Sequence, residues 1–146
     1  MKNNLKNIDY LLIEDNPNDA ELIVRGLKKV INTENLLILD DGEKAIDYLL
    51  NDEVFTNEKN NLKVIFLDLK LPKISGLDIL KELKTNIRFQ KIPVVVLTSS
   101  KEDYDIKTAY TLGANSYIVK PMEYETFIST IASIGKYWIL MNETEV

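Results

Sequence analysis

Val64-Ile65-Phe66-Leu67-Asp68-Leu69 decides the fold. A continuous apolar run of this length suits a strand with both faces buried, as in a parallel sheet covered by helices. Asp68 is the exception inside it, because an ionised carboxylate in such a run is costly to bury unless something pairs with it. Leu71-Pro72-Lys73-Ile74-Ser75-Gly76 then reads as loop, and a helix follows with Leu77, Leu80 and Leu83 along one side.

The same alternation extends in both directions. Upstream, Ile8 to Ile13 is a strand-length apolar run that stops at Glu14, Asp15 and Asn16. Pro17 suits the first position of a helix over 18–30, in which Leu22, Ile23, Leu27 and Val30 recur at three and four. Leu36 to Leu39 is a second strand, and Asp41 in the turn Asp40-Asp41-Gly42 is placed to cap a helix burying Ala45, Ile46, Leu49 and Leu50. Residues 51–61 read as polar loop. Downstream, Pro93 to Leu97 is a buried strand ending at Thr98-Ser99-Ser100, good helix-capping residues, and a helix carrying Ile106, Ala109 and Tyr110 stops at Gly113. Ser116 to Val119 is the fifth strand, closed by Lys120-Pro121, and Tyr124, Phe127, Ile128, Ile131 and Trp138 stripe a long last helix. Five strands alternating with five helices imply right-handed crossovers. The expected fold is therefore α/β, a doubly wound flavodoxin-like (βα)5 arrangement with a five-stranded parallel sheet in order 2-1-3-4-5.

Composition narrows the chemistry. At 146 residues with 45% hydrophobic content, the chain is expected to form a single domain over 1–146, with an ordinary core and no separate output module. Eighteen basic against 23 acidic residues give a net charge of −5, a field that repels phosphate backbones and anionic lipid. No nucleic-acid or membrane partner is expected. Histidine and cysteine are both absent, which removes disulfides, thiolate nucleophiles, imidazole bases and the metal sites that depend on them. Met1 to Asp9 has no apolar signal-like segment and no later apolar run approaches membrane-spanning length, so a cytoplasmic location is expected. With no G-x-G-x-x-G and no G-x-x-x-x-G-K-[ST], there is no glycine-rich cradle for a nucleotide phosphate.

In a sheet of this kind the ligand site lies outside the carboxyl ends of the strands, beside the switch point between strands one and three. Glu14 and Asp15 end strand one, Asp68 ends strand three, Thr98 ends strand four and Lys120 ends strand five. Singly, Asp15 and Thr98 are compatible with helix caps and Lys120 with a solvated strand end. Asp68 has no such ordinary reading, and the five together mark a pocket. Three carboxylates in one pocket repel each other, and a hard divalent cation with oxygen ligands relieves the repulsion. Mg2+ is the natural occupant, since it prefers about six oxygens and keeps some waters. With the site so neutralised, Asp68 can act as a nucleophile towards phosphorus and form an aspartyl phosphate, its oxygens facing Mg2+, the Lys120 ammonium and the Thr98 hydroxyl.

Leu-Ile-Glu-Asp-Asn at 12–16, Leu-Asp-Leu-Lys-Leu-Pro at 67–72 with Gly76, Val-Leu-Thr-Ser-Ser at 96–100 and Gly-Ala-Asn-Ser-Tyr-Ile-Val-Lys-Pro at 113–121 resemble the receiver domain of two-component response regulators. The likeness spans about 9–138. It implies Asp68 as phosphoacceptor, Glu14 and Asp15 as the acidic pair, and Lys70 as the source of a metal-binding backbone carbonyl. It further implies Thr98 as switch hydroxyl, Tyr117 as switch aromatic that turns inward on phosphorylation, Lys120 as phosphate lysine, and a cis Lys120-Pro121 bond. The expected function is that of a stand-alone phosphorylation switch. It takes its phosphoryl group from a sensor histidine kinase, of phytochrome-like or hybrid type, and signals through its surface. No enzymatic activity is expected beyond its own Mg2+-dependent phosphotransfer and dephosphorylation. Loop 51–61, the turn Leu-Pro-Lys-Ile-Ser-Gly at 71–76 and the ending Gly-Lys-Tyr-Trp-Ile-Leu-Met-Asn-Glu at 135–143 look most like the small regulators related to those of cyanobacterial phytochrome kinases. The chain departs from the family pattern in lacking a proline before strand three and in carrying Lys70 two residues after the acceptor.

Two other readings compete. A phosphatase or phosphotransferase working through an aspartyl phosphate commonly has a second aspartate two residues after the nucleophile, where this chain has Lys70. A receiver-like scaffold that is never phosphorylated fits poorly with a complete set of matching residues. Tyr137-Trp138-Ile139-Leu140-Met141 offers five consecutive apolar residues that one helix face cannot bury, so a homodimer through the last helix is expected, as the resemblance also implies.

Overall fold

The three central strands are completely buried and the two outer ones only half so, the distribution that a sheet covered on both faces imposes. They are β1 (Tyr10–Ile13), β2 (Leu36–Leu39), β3 (Val64–Leu67), β4 (Val94–Thr98) and β5 (Ser116–Val119), all parallel, in the order β2-β1-β3-β4-β5. Alternating with them are α1 (Pro17–Lys28), α2 (Gly42–Leu49), α3 (Gly76–Thr85), α4 (Asp103–Thr111) and α5 (Tyr124–Gly135). The computed structural model describes residues 8–51 and 62–144. Apart from Asn51, the expected loop 51–61 lies outside the described residues, as does most of the N-terminal stretch.

Successive strand residues point to opposite faces, and two cores result. Leu11, Ile13, Ile65, Leu67, Val94 and Val96 face the helices α2, α3 and α4, where Ala45, Leu49, Ile79, Leu80, Leu83 and Ala109 meet them. Leu12, Val64, Phe66, Val95 and Leu97 face α1 and α5, which contribute Leu22, Ile23, Leu27, Phe127 and Ile131. Each valine, leucine, isoleucine or phenylalanine among them, fully buried, contributes about 1.5–3 kcal/mol.

The helix starts follow their sequence signals in two cases out of three. Asn16 caps α1, accepting from the N–H groups of Asn18 and Asp19 with Pro17 at the first helical position, and Asp41 caps α2 by accepting from Lys44 N–H. Thr98-Ser99-Ser100 does not supply the cap of α4, whose N-cap residue is Glu102 and makes no side-chain cap. Thr98 is instead the last residue of β4, and Ser100 is turned towards the helix, its hydroxyl accepting from Glu102 N–H at 3.2 Å. The stop at Gly113 is as expected: its φ of 109° lies in the left-handed region that glycine enters freely.

Two residues expected on apolar helix faces, Leu50 and Tyr124, are exposed, and so is Tyr110. Leu50 lies one residue past the end of α2, Tyr124 is the first residue of α5, and Tyr110 sits a helical step round from the buried Ala109. The last helix also departs from one continuous α-helix. After Gly135 the chain widens into a π-helical segment, Lys136–Met141, in which Asn142 N–H donates to Tyr137 C=O at 2.7 Å. The wider turn lets Trp138 and Ile139 pack against the α1/α5 core while Tyr137, Leu140 and Met141 stay exposed.

Candidate functional site

Register brings the acidic residues together. β1 and β3 pair Ile13 with Leu67, so the next residue of each strand, Glu14 and Asp68, emerges at the same edge of the sheet. Asp68 N–H donates back to Ile13 C=O at 3.0 Å, tying the two strand ends. At the other side of the switch point β4 and β5 pair Thr98 with Val119, and Lys120 N–H donates to Thr98 C=O at 2.8 Å. Residues from four strand ends therefore emerge at one edge of the sheet.

Lys120 is its centre of charge. Its side chain is only 7% exposed, and its Nζ lies 2.7 Å from Glu14 Oε1, 2.8 Å from Asp19 Oδ2 and 3.0 Å from Asp68 Oδ2. Burial alone would lower the lysine's pKa, but the close carboxylates of Asp19, Glu14 and Asp68 together outweigh it and hold the pKa raised, so the group is an ammonium. Glu14 moves the other way from an ordinary carboxylate. Burial and then the charge of Asp68 push it up to about 8, despite Lys120 beside it. One ammonium does not offset this many acids.

That shortage of positive charge is what a cation would correct. Carboxylate oxygens of Glu14, Asp15 and Asp68 all lie within 4.8 Å of one another, Asp15 from an exposed position and the other two from buried ones. An all-oxygen, strongly anionic donor set open on one side suits a hard divalent ion that keeps part of its water shell. The residues present therefore fit such a metal.

The remaining expected residues lie at or next to the same strand ends. Thr98 is fully buried, its Oγ1 accepting from Ser100 N–H at 3.4 Å. Lys70 N–H donates to Asp68 Oδ1 at 3.1 Å, while its side chain turns outward to Asp105 Oδ2 at 3.4 Å. The Tyr117 ring already packs against the core in this structure, and its hydroxyl donates to Ser100 C=O at 2.9 Å. The cis Lys120-Pro121 bond is a correction: no peptide bond among the described residues is cis. The trans form is favoured by about 0.5–1 kcal/mol, and the lysine reaches all three carboxylates without the cis turn.

Sequence reasoning missed Asp19 and the pair Ser100–Asp105. Asp19 lies in the first turn of α1, where any acidic residue is favoured by the helix dipole, so nothing set it apart. Asp105 likewise sits in the first turn of α4, with Ser100 Oγ donating to its Oδ2 at 2.6 Å. The Ser100 bond and then the nearby Lys70 charge hold Asp105 below the usual aspartate range.

Comparison with known proteins gives a consistent picture. Residues 10–132 match the response regulator receiver domain family. A probable methanogenesis regulatory protein, FilR2 of Methanothrix harundinacea, is 38% identical over 92% of this chain and 85% of its own length. Response regulator Rcp1 of Synechocystis is 34% identical over 88% of this chain and 87% of its own. The crystal structure of the Mn2+-bound form of Rcp1 superposes with a TM-score of 0.85 at 31% identity, covering 95% of this chain and 99% of that one. The phosphorylated cyanobacterial phytochrome response regulator RcpA gives a TM-score of 0.86 at 30% identity, over 96% and 99%.

Proposed function

The chain belongs to the response regulator receiver domain family, and from that premise we propose that Asp68 is the residue that takes the phosphoryl group. Proteins of this family accept a phosphoryl group from a histidine kinase on an aspartate and signal by conformational change and protein contact. Here the observation that carries the assignment is the environment of Asp68. It is a buried carboxylate at the end of the central strand, with one oxygen held by the Lys70 N–H and the other facing the Lys120 ammonium. An aspartate so oriented presents an oxygen to phosphorus while the lysine stands ready for the charge on the phosphoryl oxygens.

In this reading Lys120 and the Thr98 hydroxyl bind the phosphoryl oxygens, and Glu14, Asp15, Asp68 and the Lys70 backbone carbonyl hold Mg2+. The bound ion would supply the positive charge that lets two anions, donor and carboxylate, approach. Thr98 and Tyr117 form the switch. Thr98 lies at the end of β4, and Tyr117 is bonded to the loop two residues further on, so a shift of Thr98 towards the phosphoryl group is felt at the Tyr117 ring. Incubating the protein with Mg2+ and acetyl phosphate tests the function: a retained adduct of about 80 Da, the mass of a phosphoryl group, supports the switch. Turnover of many phosphate esters would instead make it an enzyme, and no reaction would make it a scaffold.

The metal assignment has its own test. Mg2+ at ten times its dissociation constant should stabilise the fold by about 1.4 kcal/mol, because it binds the assembled acids and not the unfolded chain. For a domain of this size that is a rise in Tm of about 3–6 °C. Asp15→Asn should lose most of the rise, since it removes an exposed ligand without touching the core. Equal shifts in both proteins would remove the ion from this site.

The π-helical tail supports a homodimer. Leu140 and Met141 are 58% and 60% exposed on the same short segment as the half-exposed Tyr137, a cluster better covered than hydrated. A second copy presenting the same patch closes it with two-fold symmetry. Sedimentation equilibrium should show a dimer for the wild type and a monomer for Leu140→Glu, a change that leaves the packed Trp138 and Ile139 in place. A wild type that stays monomeric at high micromolar concentration, phosphorylated or not, would overturn this.

A further inference from the structure

We infer that Asp19 is a positioning residue for Lys120, an inference that rests on the phosphorylation site proposed above. Three carboxylates share the Lys120 ammonium, but two of them have other work in that site. Glu14 belongs to the acidic cluster with Asp15, and Asp68 is the acceptor itself, whose charge is spent when it bonds to phosphorus. Asp19 is outside the cluster. Its Oδ2 accepts a hydrogen bond from Lys120 at 2.8 Å, the shorter of the two that the ammonium makes with good alignment.

The two residues are 101 positions apart, so this bond is also a tertiary tie between the first turn of α1 and the segment that follows β5. Both line an open cleft of about 320 Å3 together with Asn18, Ser99, Pro121 and Met122. A phosphodonor that reaches Asp68 meets Lys120 with one side already fixed by Asp19. An ammonium has three donors, so it can keep the Asp19 bond and still offer one to a phosphoryl oxygen. The tether thus holds the lysine in place beforehand, so the entropic cost of ordering its long, flexible stem does not fall on phosphoryl binding.

In the transfer itself an Asp68 oxygen forms the bond to phosphorus, the bond from phosphorus to the acetyl oxygen breaks, and acetate leaves with the electron pair. Asp19 touches none of these atoms. Its removal should therefore weaken recognition of the phosphoryl group and spare the metal. For Asp19→Ala the half-saturating concentration of acetyl phosphate should rise about tenfold, the scale on which a charge-assisted hydrogen bond contributes. The affinity for Mg2+, measured by calorimetry without phosphodonor, should stay within twofold, and Asp19→Glu should recover most of the loss.

Acetyl phosphate saturation unchanged in Asp19→Ala would overturn the inference. So would an equal loss of Mg2+ affinity, or failure of Asp19→Glu to recover, since either would mean general damage to the pocket. Asp19→Leu, which has about the size of the aspartate and no acceptor, gives the same comparison if the alanine variant does not fold. A wild type that gains no adduct on Asp68 would refute the phosphorylation site and leave a distinct signature, because then no saturation curve exists to shift.

Discussion

Asp68→Asn should abolish the phosphoryl adduct completely while the fold survives. The amide has the size of the carboxylate, so the strand end keeps its packing, and Lys70 N–H retains an oxygen to bond. What disappears is the anionic oxygen that attacks phosphorus. Lys120 still has Glu14 and Asp19 as partners, so the substitution does not strand a buried ammonium, the event that makes broken ion pairs costly. It also removes the Asp68 charge, which after burial is the second cause pushing Glu14 up to about 8. The variant should accordingly melt, without Mg2+, at or above the wild-type temperature. Mass spectrometry after acetyl phosphate treatment decides the chemistry, and the melt shows that the loss is not unfolding. An adduct of unchanged size in the variant would move the acceptor elsewhere.

Much of this site is legible from the sequence because strand ends converge by topology. Once Val64 to Leu69 is read as a doubly buried strand in a parallel sheet, the crossover rule leaves a handful of strand orders, and in each of them the polar residues that terminate four strands share an edge. Pro17 after Asn16, and Asp41 before a helix, act through local chemistry, and both behave as read. What escapes is whatever depends on side chains meeting across elements. Asp19 and Asp105 look like ordinary first-turn acids, and only the tertiary placement of Lys120 and Ser100 gives them partners. The assignment of Thr98-Ser99-Ser100 as a cap fails for a related reason. Thr98 stays in β4, and the Ser100 hydroxyl bonds Glu102 N–H and the Asp105 carboxylate, so α4 starts later and its N-cap residue makes no side-chain cap. In the tail, five consecutive apolar residues force some outward, which the sequence shows, but the π-helical turn that selects Trp138 and Ile139 for burial follows from contact with the α1/α5 core.

Gly76→Ala should be the most damaging single methyl group in the chain. Gly76 is the first residue of α3, and its N–H donates to Leu69 C=O at 3.0 Å, which pulls the helix start onto the backbone just past the acceptor. A Cβ added there would overlap the Asp68 carbonyl oxygen and lie 2.5 Å from the Leu69 Cα. Both obstacles are backbone, so no rotamer change relieves them. Overpacking of this kind costs about 1–3 kcal/mol where the surroundings can shift, and here the shift must move the strand end that carries Asp68. The effect should therefore appear twice: a Tm lower by about 3–10 °C, and slower phosphorylation in the fraction that remains folded. Gly113→Ala is the informative control. It is strained by its positive φ, yet the added Cβ would meet the stem of the Lys84 side chain, not backbone, far along the chain from the acceptor. It should lower Tm with little change in phosphorylation rate. If Gly76→Ala behaved the same way, losing stability but phosphorylating at the wild-type rate, then the close approach at Leu69 would serve packing alone and not the placement of Asp68.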